Sequence, residues 1–304
     1  MARTVLITGA TGKQGGAVIN SLLAAKADFD ILAVTRDTTS NSAQKLAQKS
    51  SKIKLVTGDL NNVDDIFKKA KEVASSPIWG VYSVQVVPTK AGDNSEEIQG
   101  KALVDAAAKN SVKHFVYSSV DRGGEKSAIN PTNVPHFIHK HNVEQHLFVK
   151  AKETGMSYTI LRPVAFFENL VPGFVGKIFP TVWQMRLKKP LQLIATSDIG
   201  YFGAEAFLKP EEWRNRSISL AGDELTLAQF RAIFKQKTGQ DLPSTFRIFG
   251  ALILWLSKDF SLMFNWFQTD GYAVDIGELR KIRPELKDFG AWLEKDSQFN
   301  TRST

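Results

Sequence analysis

The chain predicts an α/β protein: a doubly wound parallel Rossmann sheet with a smaller C-terminal α/β lobe. Three observations carry that expectation. Apolar runs of strand length alternate with helical patterns through the first half of the 304 residues. A glycine-spaced turn, "TGATGKQGG" at residues 8–16, follows the first of those runs. After Val164 the alternation stops and a proline-punctuated texture begins. Strands that are apolar throughout belong to a sheet covered on both faces, and right-handed crossovers make 3-2-1-4-5-6 the economical strand order.

Taken in order, Arg3–Thr8 reads as a short buried strand. Gly15–Ala25 reads as a helix with Ala17, Val18, Leu22 and Leu23 on its inner side. Residues 30–36 are a second strand, followed by a polar loop and a short helix, and residues 53–60 a third. Asp64 and Asp65 favour a helix start there, because acidic groups are stabilised near a helix's positive end. That helix runs to Ala74. Residues 78–87 form the fourth strand, Glu96–Lys109 a helix, 114–120 the fifth strand, Pro135 to Thr154 a helix and 157–164 the sixth strand. Beyond it Pro172, Gly173, Pro180 and Pro190 mark irregular segments. A helix is expected around Thr226–Thr238, and a short helix pair broken at Pro284 closes the chain. The division expected is residues 1–165 for the nucleotide-binding sheet domain and 166–304 for the smaller lobe, with some segments of the lobe returning to the sheet.

Composition narrows the function. There is no cysteine, which excludes disulfides, thiolate metal centres and a thiol nucleophile. That absence suits a reducing compartment, and a first strand beginning at Arg3 leaves no room for a signal peptide. A cytoplasmic location follows as the expectation. The net charge of +8 is spread along the chain, about +5 in residues 1–150 and +3 in the remainder. No basic arm or reading helix accompanies it, so direct nucleic-acid binding is not expected. The longest apolar run of the segment 247–267 ends at Leu256, too short to span a bilayer.

The opening turn places Gly9, Gly12 and Gly15 between a strand and a helix. In that context glycines let the backbone approach a pyrophosphate at the helix's positive end. Gly9, Thr11, Gly12, Lys13, Gln14 and Gly15 are assigned to this cradle. The second strand ends in Thr35-Arg36, where an arginine accommodates the 2′-phosphate of NADP and a carboxylate would hold the ribose of NAD. Arg36, helped by Lys13, therefore favours NADP(H), with NAD(H) as the alternative. Asp37, turned inward, would oppose the phosphate, and Arg36 as a solvated strand-end charge is the plainer reading. Asp59 and Leu60 end the third strand and are placed against the adenine; Asp59 as a helix or turn cap is the alternative.

The segments "VLITGATGKQGGAVINSLL", "VTGDL", "FVYSS", "LRPVAFFENL" and "WFQTDGYAVDIGELRKIRPELKDFGAWL" together resemble the short-chain dehydrogenase/reductase superfamily, and within it the NmrA-like group. The resemblance runs along nearly the whole chain. It implies an NAD(P)-binding fold, and a place among nitrogen-repression regulators, related redox sensors that would extend the location to the nucleus, and some true reductases. Catalytic members of the superfamily use a Tyr-x-x-x-Lys pair with a Ser or Thr. The matching segment here is "HFIHK": Lys140 holds the lysine position and His136 the tyrosine position. Ser118 and Ser119, ending the fifth strand, offer the hydroxyl, or satisfy backbone groups there.

Loss of a positioned general acid costs about 10²–10⁴-fold in rate, although histidine also moves protons near neutrality. The resemblance thus favours an NADP(H)-binding redox sensor acting through a protein partner, with little turnover. In that reading Lys140 is a ribose ligand, or simply a surface charge. The alternative is an NADPH-dependent reductase of a small apolar carbonyl or olefinic metabolite. Four histidines, at 136, 139, 141 and 146, lack metal-ligand spacing, and no metal is expected. Pro163 and Phe166 should pass beside the nicotinamide; Phe167, Glu168 and Asn169 should line the cleft mouth, with Phe167 more readily a core residue. Asp198-Ile199-Gly200 resembles a family turn joining the lobes. The aromatic run 246–267 is read as the core of the small lobe, with a partner surface as the alternative. Oligomeric state is not legible.

Overall fold

In the computed structural model, residues 2–88, 90 and 92–302 are described. The first half lays down β1 (Arg3–Ile7), α1 (Lys13–Ala24), β2 (Phe29–Thr35), α2 (Asn41–Ala47), β3 (Ile53–Thr57) and α3 (Val63–Val73). It continues with β4 (Ile78–Ser83), α4 (Ser95–Lys109), β5 (His114–Ser118), α5 (Pro135–Thr154) and β6 (Ser157–Pro163). The second half contributes β7 (Ala165–Phe166), α6 (Phe174–Arg186), β8 (Leu191–Ile194), α7 (Thr196–Leu208) and α8 (Pro210–Trp213). After them come β9 (Arg216–Leu220), β10 (Asp223–Leu225), α9 (Leu227–Thr238), α10 (Arg247–Leu256), α11 (Lys258–Thr269), α12 (Ile276–Ile282) and α13 (Phe289–Lys295).

The main sheet has seven strands in the order β3-β2-β1-β4-β5-β6-β9, every neighbouring pair parallel. The doubly wound order read from the pattern of apolar runs is present, extended by one strand. The addition, β9, comes from the second half and pairs with β6 from Thr159 opposite Arg216 to Pro163 opposite Leu220. Alternation along β1 feeds two cores. Val5 and Ile7 join the cluster under α1 and α7, while Leu6 joins the cluster under α3, α4 and α5. A second sheet, β10-β8-β7, lies in the smaller lobe over an aromatic core that includes Trp183, Phe230, Phe264, Phe289 and Trp292.

Local chemistry explains most element ends. Ser40 and Asn62 cap α2 and α3 by accepting from backbone N–H groups, and Thr226 with Gln229 forms a full capping box on α9. Pro135 starts α5, where its missing N–H costs nothing, and Gly155 ends it in the left-handed region at φ 73°.

Several expectations are corrected. The fourth strand stops at Ser83 rather than continuing to residue 87. Pro180 lies inside α6, not in an irregular segment: burial of Phe179, Val182 and Trp183 outweighs the roughly 3 kcal/mol that an interior proline costs. Asp198-Ile199-Gly200 is the first turn of α7, not a connecting turn, and buried Asp198 pairs with Arg283 at 2.8 Å. Only half of the aromatic run is core. Phe264, Trp266 and Phe267 of α11 are buried, whereas Phe246, Ile248, Trp255 and Leu256 in and beside α10 are exposed. Among the described residues no single helix is long and apolar enough to cross a membrane.

Candidate functional site

The site forms where the carboxyl ends of β1, β4, β5 and β6 meet the smaller lobe. The glycine turn closes against the sheet. Gly9 sits at φ +58°, and a side-chain carbon there would meet Val84 at 2.8 Å. At Gly15 an added Cβ would overlap the carbonyls of Thr8 and Gly9, so helix α1 can start this close to the strand only with glycine at that place. Gly12 is the N-cap of α1, with no side-chain cap and no acidic residue in the first turn. The positive helix end is therefore left open to an anion, and this cradle fits a dinucleotide's pyrophosphate.

Around the cradle the assigned residues separate. Lys13 Nζ donates to the Glu168 carbonyl at 2.8 Å, bridging the loop to the smaller lobe. Arg36 is exposed beyond the end of β2 and makes no hydrogen bond or ion pair among the described residues. Asp37 is turned into its own loop, accepting from the Thr39 N–H at 2.8 Å and the Thr39 hydroxyl at 2.6 Å, and these bonds hold its carboxyl below the usual range. Asp59 accepts from the Asn61 N–H at 2.8 Å, the turn-capping geometry, and Leu60 is half-buried against the α3 core.

Beyond the cradle lies a cavity of about 720 Å³. Its walls are largely apolar: Val120, Pro163, Phe166, Phe174, Ile178, Phe249, Met263 and Phe267 all reach it. Its polar groups are few and convergent. They include Gln14, Ser119, His136, Lys140 and Asp259. Phe167 and Glu168 are absent from this wall. Phe167 is fully buried against Phe289 and Trp292, and Glu168 accepts from Thr196 and from the Trp292 indole at 3.0 Å. Asn169 does line it.

His136 and Lys140 are one turn apart on α5 and so share a face. Asp259, in the first turn of α11, receives both the His136 backbone N–H at 3.0 Å and His136 Nδ1 at 2.6 Å. Burial works against its charge, yet the hydrogen bonds and charge of His136 hold the Asp259 carboxyl below its usual range. An ionised Asp259 accepts from Nδ1–H, which leaves Nε2 as the ring nitrogen without a protein partner among the described residues. Lys140 Nζ stands 2.9 Å from Glu96 Oε1 and donates to the Ser118 carbonyl at 3.2 Å. The contact with Glu96 is an ion pair by distance, and the one hydrogen bond, to the Ser118 carbonyl, leaves donor capacity on Nζ.

The serines part company. Ser118 Oγ donates to Gln14 Oε1 at 2.5 Å, and the Tyr82 hydroxyl reaches the same oxygen at 3.5 Å. Ser119 Oγ donates instead to buried Glu144, which also pairs with Arg122 at 2.9 Å and Arg162 at 2.7 Å. Those two guanidiniums offset the burial of Glu144 and hold its carboxyl low. The remaining helix histidines diverge: His146 Nε2 meets Asp105 at 2.8 Å, while His141 lies against Arg122. Among the described residues no group of three or more potential ligands could hold a metal ion.

Asp259, Glu96 and Glu144 are the site residues that sequence reasoning missed. Asp259 had one available signal, a lone carboxylate inside "LILWLSKDFSLMF", an otherwise apolar stretch.

Comparison with known proteins places the whole arrangement. An Aspergillus flavus protein, the NmrA-like family domain-containing oxidoreductase lnaB, is 27% identical over 296 residues, covering 88% of this chain and 84% of its own. Among solved structures, the triphenylmethane reductase of Citrobacter sp. complexed with NADP(H) superposes with a TM-score of 0.71 at 17% identity, covering 96% of this chain and 99% of that one. The negative transcriptional regulator NmrA in complex with NAD gives a TM-score of 0.68 at 18% identity, covering 97% and 95%. These structural likenesses establish a common fold. The sequence profile of the NmrA-like family matches residues 1–290, so glycine turn, sheet and cavity fall within one match, and the chain belongs to the NmrA-like family.

Proposed function

We propose that the protein is an NADPH-dependent reductase of small apolar carbonyl or olefinic compounds, with His136 in the role of proton donor. The observation that carries this reading is the His136–Asp259 pair at 2.6 Å on the wall of an apolar cavity, one helical turn from Lys140. A histidine held through Nδ1 by a carboxylate has a fixed tautomer and orientation, which aims Nε2 as a positioned proton-transfer group. Relatives named as oxidoreductases, and a structural neighbour that binds NADP(H), support the same reading.

The glycine cradle holds the pyrophosphate, with the open start of α1 facing it, and exposed Arg36 takes the 2′-phosphate. Asp37, tied to Thr39, is turned away from opposing that contact. Lys140, with donor capacity left on Nζ, binds the nicotinamide ribose while its ion pair with Glu96 fixes its position. NADPH held by these residues would supply the hydride for the reduction. His136 then supplies the proton from Nε2 to the substrate oxygen, or to the carbon that gains electron density, and regains it from solvent. The apolar walls select a substrate with little polar surface and exclude competing water.

A screen of NADPH consumption over aldehydes, quinones and enones tests the reading, beside a dinucleotide titration. The expected result is turnover that falls about 10²–10⁴-fold in His136→Ala with nucleotide affinity retained. Tight nucleotide binding with no turnover on any compound, and a protein partner captured in one redox state of the nucleotide only, would replace it with the redox-sensor reading.

A further inference from the structure

We infer that the outer face of α10 docks on an anionic membrane surface, with the mouth of the apolar cavity opening within the docked face. The helix is amphipathic in the unusual sense. It buries Gly250 and Leu254 and turns Ile248, Ala251, Leu252 and Trp255 outward, at the i, i+3, i+4, i+7 spacing of a single stripe. Trp255 is 79% exposed, Ile248 72% and the preceding Phe246 77%. Val175 of α6, 76% exposed, and Phe174, whose ring meets Phe249 edge-on with centroids 5.4 Å apart, continue the stripe. Isolated exposed apolar side chains are ordinary, but a contiguous set of this kind marks a surface that something covers.

Charge identifies the occupant. Residues 171–190 and 242–258, which carry the patch, contain six basic side chains and no acidic one; of the flanking carboxylates, Asp241 is paired with Lys235 and Asp259 with His136. Arg247 lies between Phe246 and Ile248, and Lys258 follows Leu256 by two residues. Lys177 is one turn from Phe174, and Arg186 adjoins Met185, whose sulfur lies 2.9 Å from the Cβ position of Gly250. A second copy of the chain would bring this cationic rim against itself, since a two-fold interface pairs each patch with its own image. Anionic headgroups instead complement it, while Trp255, Ile248 and Phe246 enter the acyl boundary. The bend of 110° between α10 and α11 fits a helix lying in the interface plane, with α11 descending into the protein core. Phe174, Val175, Phe249 and Leu252 belong both to this face and to the cavity wall, so an apolar compound dissolved in the bilayer would enter without crossing water.

Co-sedimentation of the 304-residue chain with phosphatidylserine/phosphatidylcholine vesicles tests the proposal. Binding is expected to the mixed vesicles, to weaken with added salt, and to be largely absent on pure phosphatidylcholine. Arg247→Gln with Lys258→Gln should lower the partition coefficient about twentyfold, a cation near an anionic surface being worth about fivefold. Ile248→Ser with Trp255→Ser should abolish binding while leaving dinucleotide affinity and the circular dichroism spectrum unchanged. The proposal is overturned by no binding to anionic vesicles or by equal binding of both double variants. It is also overturned by a concentration-dependent dimer in sedimentation velocity that the Ile248/Trp255 variant dissolves, which would give the face to a second copy.

Discussion

Lys140 Nζ and Glu96 Oε1 lie 2.9 Å apart, and neither side chain is more than 8% exposed. The lysine at the family position is therefore held by a buried carboxylate from α4 and is not a free surface charge. Breaking a buried ion pair from one side leaves an uncompensated charge, a loss of about 3–5 kcal/mol. Glu96→Ala should destabilise the fold by that order in urea denaturation. Combining it with Lys140→Met should recover a large part of the loss, and strictly additive losses would show that the pair is not coupled.

Asp259 acts through His136, so its removal should change rate and not binding. Asp259→Asn is expected to lower kcat about tenfold or more, up to the roughly 10²–10⁴-fold cost of losing the positioned acid itself, with KM and NADPH affinity nearly unchanged. In a His136→Ala background the same substitution should add little. A full additional loss there would mean that Asp259 works elsewhere.

Arg36 is free to meet a phosphate. Arg36→Ala should weaken NADP(H) by about ten- to a hundredfold, the worth of a hydrogen bond to a charged group, and NAD(H) far less. Fluorescence titrations with the two nucleotides decide this, and equal weakening of both would remove the basis for NADP preference.

Gly15→Ala puts a methyl group into the Thr8 and Gly9 carbonyls, which are backbone and cannot swing aside. The turn must open, so dinucleotide binding should fall below detection in the same titrations. Unchanged affinity in a folded Gly15→Ala protein would show that the cradle is not the binding element.

His114 gives the fold an acid limit. Its ring is buried beside Trp79, with Nδ1 2.8 Å from Ser157 Oγ, and burial, reinforced by the Arg214 charge, lowers its pKa from 6.5 to about 4. The folded state holds the neutral ring, so this contribution is complete above pH 6.5 and is lost as pH falls towards 4, to a total of about 3 kcal/mol. Urea denaturation at pH 7.5 and 5 should show about 2 kcal/mol of that loss, and His114→Gln should lessen the slope. An unchanged slope would assign the acid sensitivity to the carboxylates.

The first half of the fold was legible because its signals are local. Apolar runs such as Val5-Leu6-Ile7 and the glycine turn need no partner to be recognised, and the acidic pair Asp64-Asp65 marks a helix start directly. What escaped is what tertiary structure decides. β9, "RSISL", is mostly polar and exposed at its start because it is an edge strand, and only its pairing with β6 identifies it. α6 hides behind Pro180, whose cost is offset by packing that sequence spacing does not display. His136 was found through its place in a short motif, but Asp259 is 123 residues away and reaches it only because α11 folds back onto the start of α5. Arg36 and Asp59 stood with two readings each. The geometry leaves Arg36 open and ties Asp59 to its own turn.

The late arrival of β9 has a consequence for the protein's synthesis. The strand that covers the outer edge of β6 lies more than fifty residues downstream of it, and α7, which packs on α1, is made only shortly before. As the chain leaves the ribosome, the glycine turn and its six strands emerge first, with one edge and one apolar face still bare. Folding from the N-terminus must therefore wait for Leu220, and any ribosomal pause between Pro163 and Leu220 exposes a naked sheet edge to other nascent chains.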